Sequence, residues 1–135
     1  MKIMDLFQGK KNFQLTEDLC HEVASIINKG EGVESNYSRM TDGDGVRMYL
    51  VSQDGKTCWE MTTAPGPLTI TATRLRNKGI GTYTAVMDLL MKKTRGTDTY
   101  IVIREVRDPG TIAWCRAHGF VQNANNDDYI YVVNR

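Results

Sequence analysis

The sequence predicts a single α/β (α+β) domain built on a mixed, mostly antiparallel central sheet flanked by helices. Three observations predict it. The spacing of apolar residues switches repeatedly between helical periodicity and strand-like alternation. The resulting segments follow the order β-α-β-β-β-α-β-α-β-β, which suits a layered fold of mixed class. The chain has 135 residues, 41% hydrophobic and 24% charged, the size and balance of one globular unit. Residues 1–135 are therefore expected to form one domain. The same numbers exclude a disordered tail, a coiled coil and a collagen-like chain.

The opening strand is expected within Lys2–Phe7 or Asn12–Leu15, its limits blurred by the Gly9-Lys10-Lys11 turn. A helix follows. Thr16 can cap it, Glu17 and Asp18 suit its first turn, and Leu19, Val23, Ile26 and Ile27 share one face. Lys29-Gly30 is expected to end it. Gly30 to Gly45 reads as a long polar loop with one helical turn near Glu34–Met40. Val46–Ser52 and Thr57–Thr63 read as strands, joined by a hairpin at Gln53-Asp54-Gly55-Lys56. Pro65-Gly66-Pro67 breaks the chain before a strand at Leu68–Arg74. A helix from about Thr82 to Lys93 carries Tyr83, Val86, Met87 and Leu90 on one face. Tyr100–Val106 reads as a buried strand. Asp108-Pro109 starts a short helix to about His118, with Asp as cap and Pro at its first position. Phe120–Gln122 and Tyr129–Val133 complete the strands. The stretch from 68 to 106 should be one crossover placing two strands in parallel.

The 17 Lys+Arg and 16 Asp+Glu leave a formal charge of +1, which does not point to a nucleic-acid or polybasic membrane binder. Arg74, Arg76, Lys78 and the Lys92–Arg95 cluster lack the interleaved aromatics of a nucleic-acid surface. Cys20, Cys58 and Cys115 make no zinc or CxxC pattern and read as reduced thiols. No stretch reaches the ~18 apolar residues of a membrane span, and the first residues lack a signal-peptide core. A cytoplasmic setting is the expectation.

The central motif is Arg76-Asn77-Lys78-Gly79-Ile80-Gly81-Thr82, lying between a strand and a helix. The first amides of a helix have no internal partners, and its dipole adds positive potential. Gly79 and Gly81 let a bulky anion approach the backbone, and Arg76 and Lys78 add charge. The same glycines also serve a tight strand-to-helix turn, and the string alone leaves both readings open. Other strings fail. Gly55-Lys56-Thr57 lacks the first glycine of a P-loop, where Leu50 stands. The dinucleotide fingerprint needs a glycine at Thr84. The loop Asn123–Asp128 has neither the glycine nor the later glutamate of a calcium loop. His21 and His118 are isolated, and no metal site is expected.

The second motif is Asp108-Pro109-Gly110-Thr111-Ile112-Ala113-Trp114-Cys115-Arg116-Ala117-His118-Gly119-Phe120. Together the two resemble the GCN5-related N-acetyltransferase superfamily. Its members carry a Q/R-x-x-G-x-G/A loop before a long helix, then an N-x-x-A-x-x-x-Y-x-x-x-G-F-like stretch. The resemblance is carried by Leu68 to Phe120, and before that by element order alone. It implies that fold, and binding of acetyl-CoA as a substrate. Arg76, Asn77, Lys78, Gly79, Ile80, Gly81 and Thr82 would hold the pyrophosphate. The strand near Thr71 to Thr73 would part from its neighbour and bind the pantetheine arm. One of its amides would polarise the thioester carbonyl while an amine attacks directly.

The departures are specific. Cys115 stands where the family has the tyrosine that protonates the leaving thiolate. Asp108 stands for the usual Asn, and Thr111 for the small Ala. Cys115 is thus either a proton donor or a small packing residue. Glu60 and Glu105 are the candidate bases, each also readable as a surface strand residue. Tyr129 and Tyr131 share a face that could line the substrate groove, whereas Trp59 and Trp114 read as core anchors. Glu31, Glu34, Asp42, Asp44, Asp127 and Asp128 would form acidic lips for a cationic amine acceptor. The missing tyrosine supports an alternative: a protein of this fold that binds CoA or a protein partner without efficient turnover.

Overall fold

The computed structural model describes residues 12–43, 45–52, 54–63, 67–75 and 80–131. In chain order their elements are α1 (Glu17–Glu31), β1 (Tyr37–Asp42), β2 (Gly45–Val51), β3 (Thr57–Thr62), β4 (Leu68–Thr73), α2 (Thr82–Thr94), β5 (Ile101–Ile103), α3 (Pro109–Ala117), β6 (Val121–Gln122) and β7 (Tyr129–Tyr131). The seven strands form one sheet in the order β1-β2-β3-β4-β5-β7-β6. Only β4 and β5 run parallel, joined through α2, and every other neighbouring pair is antiparallel. The mixed, mostly antiparallel sheet is therefore what these residues build.

Capping sets the helix starts. Thr16 Oγ1 accepts the Leu19 N–H at 3.2 Å, and Asp108 Oδ2 accepts the Thr111 N–H at 3.0 Å. However, α1 does not stop at Gly30. It continues to Glu31 and closes on Gly32, whose φ of +69° suits a left-handed cap. Gly30 has a different task. A Cβ there would collide with the Thr82 side chain, so the glycine lets α1 pass close to the first turn of α2. Leu19, Val23 and Ile27 of α1 join Val86, Met87 and Leu90 of α2 in one core with Met48, Trp59, Met61 and Ile70 of the sheet. Full burial of such side chains contributes about 1.5–3 kcal/mol each.

Two expectations are corrected. Residues 12–16 contain no strand, and Lys2–Phe7 lies outside the described residues. The expected helical turn at Glu34–Met40 is instead β1, the edge of the sheet. Gly43, at φ +59°, reverses the chain so that Tyr37–Asp42 pairs residue for residue with Gly45–Leu50. Side chains fix this edge to the start of α1. The Tyr37 hydroxyl donates to Glu17 Oε2 at 2.6 Å, and Arg39 Nε donates to the Leu15 carbonyl at 3.1 Å.

The strand expected over Tyr100–Val106 is only Ile101–Ile103. Glu105 adopts φ +53°, a left-handed conformation that breaks a strand. Its N–H donates to Asp128 Oδ1 at 3.0 Å, and the Val106 N–H donates to the Asp127 carbonyl at 2.9 Å. The chain after β5 is thus drawn toward the loop between β6 and β7, away from β4.

Candidate ligand-binding site

That departure opens a cavity. Strands β4 and β5 pair at Leu68–Ile101, Thr69–Val102 and Ile70–Ile103, and the Arg104 N–H still donates to the Ile70 carbonyl at 3.0 Å. Strand β4 then continues beside β3 to Thr73, whereas β5 has ended. A bulge accompanies the parting. Ile70 opposes Met61 and Ala72 opposes Glu60, leaving Thr71 as the extra residue on β4. Such an insertion bends the strand and sharpens its twist. Between the two arms lies a cavity of about 740 Å³, within the usual range for small-molecule sites.

One wall carries Thr71, Thr73 and Arg74 from the β4 side. The opposite wall carries Arg104, Glu105, Arg107 and Asp108, and Gly81–Thr84 and Trp114 also line the cavity. Two helix N-termini therefore border one space, and they differ. Asp108 caps α3, its Oδ2 accepting from both the N–H and the hydroxyl of Thr111. Helix α2 begins at Gly81, with no side-chain cap and no acidic residue in its first turn. Gly81 sits at φ +87°, and among the described residues a Cβ there would meet nothing within 4 Å. The α2 end thus presents amides and positive dipole potential to an open space. Arg74 and Arg104 are exposed beside the cavity, with no ion pair among the described residues. Arg107 pairs with Asp127 at 3.2 Å in a solvated contact. The arrangement suits an elongated ligand with an anionic end.

The residues named from sequence divide clearly. Thr71, Thr73, Gly81 and Thr82 line the cavity, and Ile80 is exposed just ahead of them. Arg76, Asn77, Lys78 and Gly79 lie outside the described residues. Of the two candidate bases, Glu105 lines the cavity. Glu60 does not; it is bound to Arg47 Nε at 2.8 Å. Cys115 is fully buried and is not part of the lining, and burial pushes its thiol up to about 11. It packs as an apolar residue. Tyr129 is core, Tyr131 rests on Phe120, and neither reaches the cavity. Glu31, Glu34, Asp127 and Asp128 do not line it either.

Sequence reasoning missed Arg104, Arg107, Tyr83 and Trp114 as lining residues. Tyr83 and Trp114 fit an apolar helical face, so periodicity assigns them to the core. Trp114 is in fact held between that core and the cavity. Its Nε1–H donates to Thr84 Oγ1 at 3.0 Å, and its ring stacks on His118 at 4.1 Å. Tyr83 stands edge-on to Trp114, with ring centres 5.1 Å apart. The only available signal for Tyr83 was its place in the first helical turn after Gly81.

No protein-family model matches this chain, and no curated protein matches it either. Among the described residues no helix is long and apolar enough to cross a membrane.

Proposed function

We propose that this cavity binds acetyl-CoA and that the protein transfers the acetyl group to an amine acceptor by direct attack. The observation that carries the reading is the parting of β4 from β5 beside the uncapped N-terminus of α2. The amides following Gly81, with the 76–79 segment before them, take the diphosphate. Thr71 and Thr73 flank the pantetheine arm, which runs toward the closed end of the cleft at Ile70 and Ile103. There the amine nitrogen attacks the thioester carbonyl. A carbon–nitrogen bond forms, the carbon–sulfur bond breaks, and CoA leaves as its thiolate. Glu105 receives the proton that the amine sheds, since Glu60 is engaged by Arg47 and Asp108 caps α3. A thiolate, of ordinary pKa about 8.5, leaves without an acid, so the reaction proceeds without a donor at Cys115.

The burial of Cys115 outside the lining also favours the second reading, a protein of this fold that binds CoA or a protein partner without efficient turnover. Titration calorimetry and thermal melting with acetyl-CoA test the shared step. Ligand at 100 times Kd should add about 2.7 kcal/mol of stability. Mass spectrometry of peptide, polyamine and aminoglycoside acceptors then separates the two readings. Acetylated product supports transfer, and binding without product supports the second. Failure to bind acetyl-CoA at all removes transfer and leaves only the binding of a protein partner.

A further inference from the structure

Buried polar groups in folded proteins nearly always have partners, and each exception calls for an explanation. The Tyr83 hydroxyl is such an exception. It is buried and makes no hydrogen bond among the described residues, while its residue lines the cavity. Its ring neighbours are aromatic. Trp59 lies at 6.1 Å and Trp114 at 5.1 Å between ring centres. Burial, with a smaller contribution from the Cys115 thiol, keeps the phenol protonated well beyond the ordinary tyrosine range, so it is a donor at every physiological pH.

An unpartnered buried hydroxyl is unfavourable by the cost of its desolvation, while a phenylalanine in the same place carries no such cost. Among the described residues, no hydrogen bond holds the Tyr83 hydroxyl where it is. Turning its hydroxyl toward the cavity breaks no hydrogen bond, and an acceptor there would supply the one that is missing.

We infer that Tyr83 is a ligand-binding residue, its hydroxyl donating to a carbonyl oxygen of the acylated arm of the ligand. This rests on the acetyl-CoA reading above and extends it to a residue on α2. Tyr83 positions the arm and does not protonate the leaving thiolate.

The test is Tyr83→Phe, measured by calorimetry with acetyl-CoA and with 3′-phosphoadenosine 5′-diphosphate, which has the anionic end but no arm. Thermal melting of the unliganded protein controls for folding. The variant should melt at the parent's temperature or slightly higher. Its affinity for acetyl-CoA should fall about tenfold, the size expected of one lost hydrogen bond to a neutral acceptor, while affinity for the truncated ligand stays within twofold. Equal acetyl-CoA affinity in parent and variant overturns the inference and leaves the acetyl-CoA reading standing. Equal losses for both ligands also overturn it, because the substitution has then deformed the cavity. A parent protein that does not bind acetyl-CoA removes the reading on which the inference rests, and the inference with it.

Discussion

Cys115 and Cys20 are both fully buried, and desolvation is the main reason their thiols are pushed up to about 11. For Cys20 the nearby Arg39 opposes that rise without cancelling it. The unfolded chain releases these protons near pH 8.5, before the native state does. Stability is therefore intact below about pH 8.5 and falls as pH rises toward about 11. Denaturant titrations at pH 8, 9.5 and 11 should show the midpoint dropping, and Cys20→Ala with Cys115→Ala should flatten the decline. A profile that stays level in the parent would contradict the burial of these thiols. The same burial reverses a natural idea from the sequence. Cys115→Tyr, which restores the resembled family's residue, forces a ring into a filled core and should cost about 1–3 kcal/mol. Gly81 calls for a paired substitution, because φ +87° strains any side chain. Asn and Asp tolerate that region best and differ in charge, so Gly81→Asp against Gly81→Asn isolates electrostatics. Acetyl-CoA should bind the Asp variant more than tenfold more weakly than the Asn variant by calorimetry. Equal affinities would place the anionic end of the ligand elsewhere.

Among the elements, the contact of α1 with α2 decides where the N-terminus of α2 lies. Gly30→Ala gains helix propensity worth about 1 kcal/mol, yet its methyl meets the Thr82 side chain. Overpacking of about 1–3 kcal/mol should exceed that gain, leaving a net loss in chemical denaturation. Thr82→Ala, which removes both colliding atoms, should restore much of it in the double variant. An additive double variant would mean that the two helices adjust freely. The pair also shows what the sequence could disclose. Thr16 and Asp108 announce their helices because a cap acts on amides two or three residues away. Gly55, at φ +81°, announces its hairpin for the same local reason. Gly30 reads as a helix end, because its true constraint comes from Thr82, distant in the chain. Strand β1 is hidden likewise. Its Asp42-Gly43 turn lies in a glycine-rich polar stretch, and an edge strand needs only half a face of packing. Gly81 and Thr82 were legible from local motif context, and Thr71 and Thr73 from the family resemblance. Arg104, Arg107 and Tyr83 were not, because the parting of two strands brings them to the site.

Across the whole molecule, one backbone conformation links sheet, loop and cavity. Glu105 is the only non-glycine residue with positive φ among the described residues. Two bonds to the loop before β7, from its own N–H and that of Val106, hold the chain away from β4. Strain of about 1–3 kcal/mol at such a residue persists only where its surroundings impose it. Glu105→Gly relieves that strain and loses about 0.5–1 kcal/mol through the greater freedom of the unfolded chain. The net expectation is a gain of about 1 kcal/mol, seen as a melting temperature a few degrees higher. Glu105→Gln keeps the strain and removes only the charge, so its melting temperature should stay near the parent's. If Glu105 takes the amine's proton, both variants should acetylate acceptors at least a hundredfold more slowly, the usual worth of a general base, while binding acetyl-CoA within twofold of the parent. A Glu105→Gly protein that is more stable and equally active would reduce Glu105 to a bend in the chain. One that is more stable and slow would show a residue kept strained because the open cleft needs its carboxylate at that point.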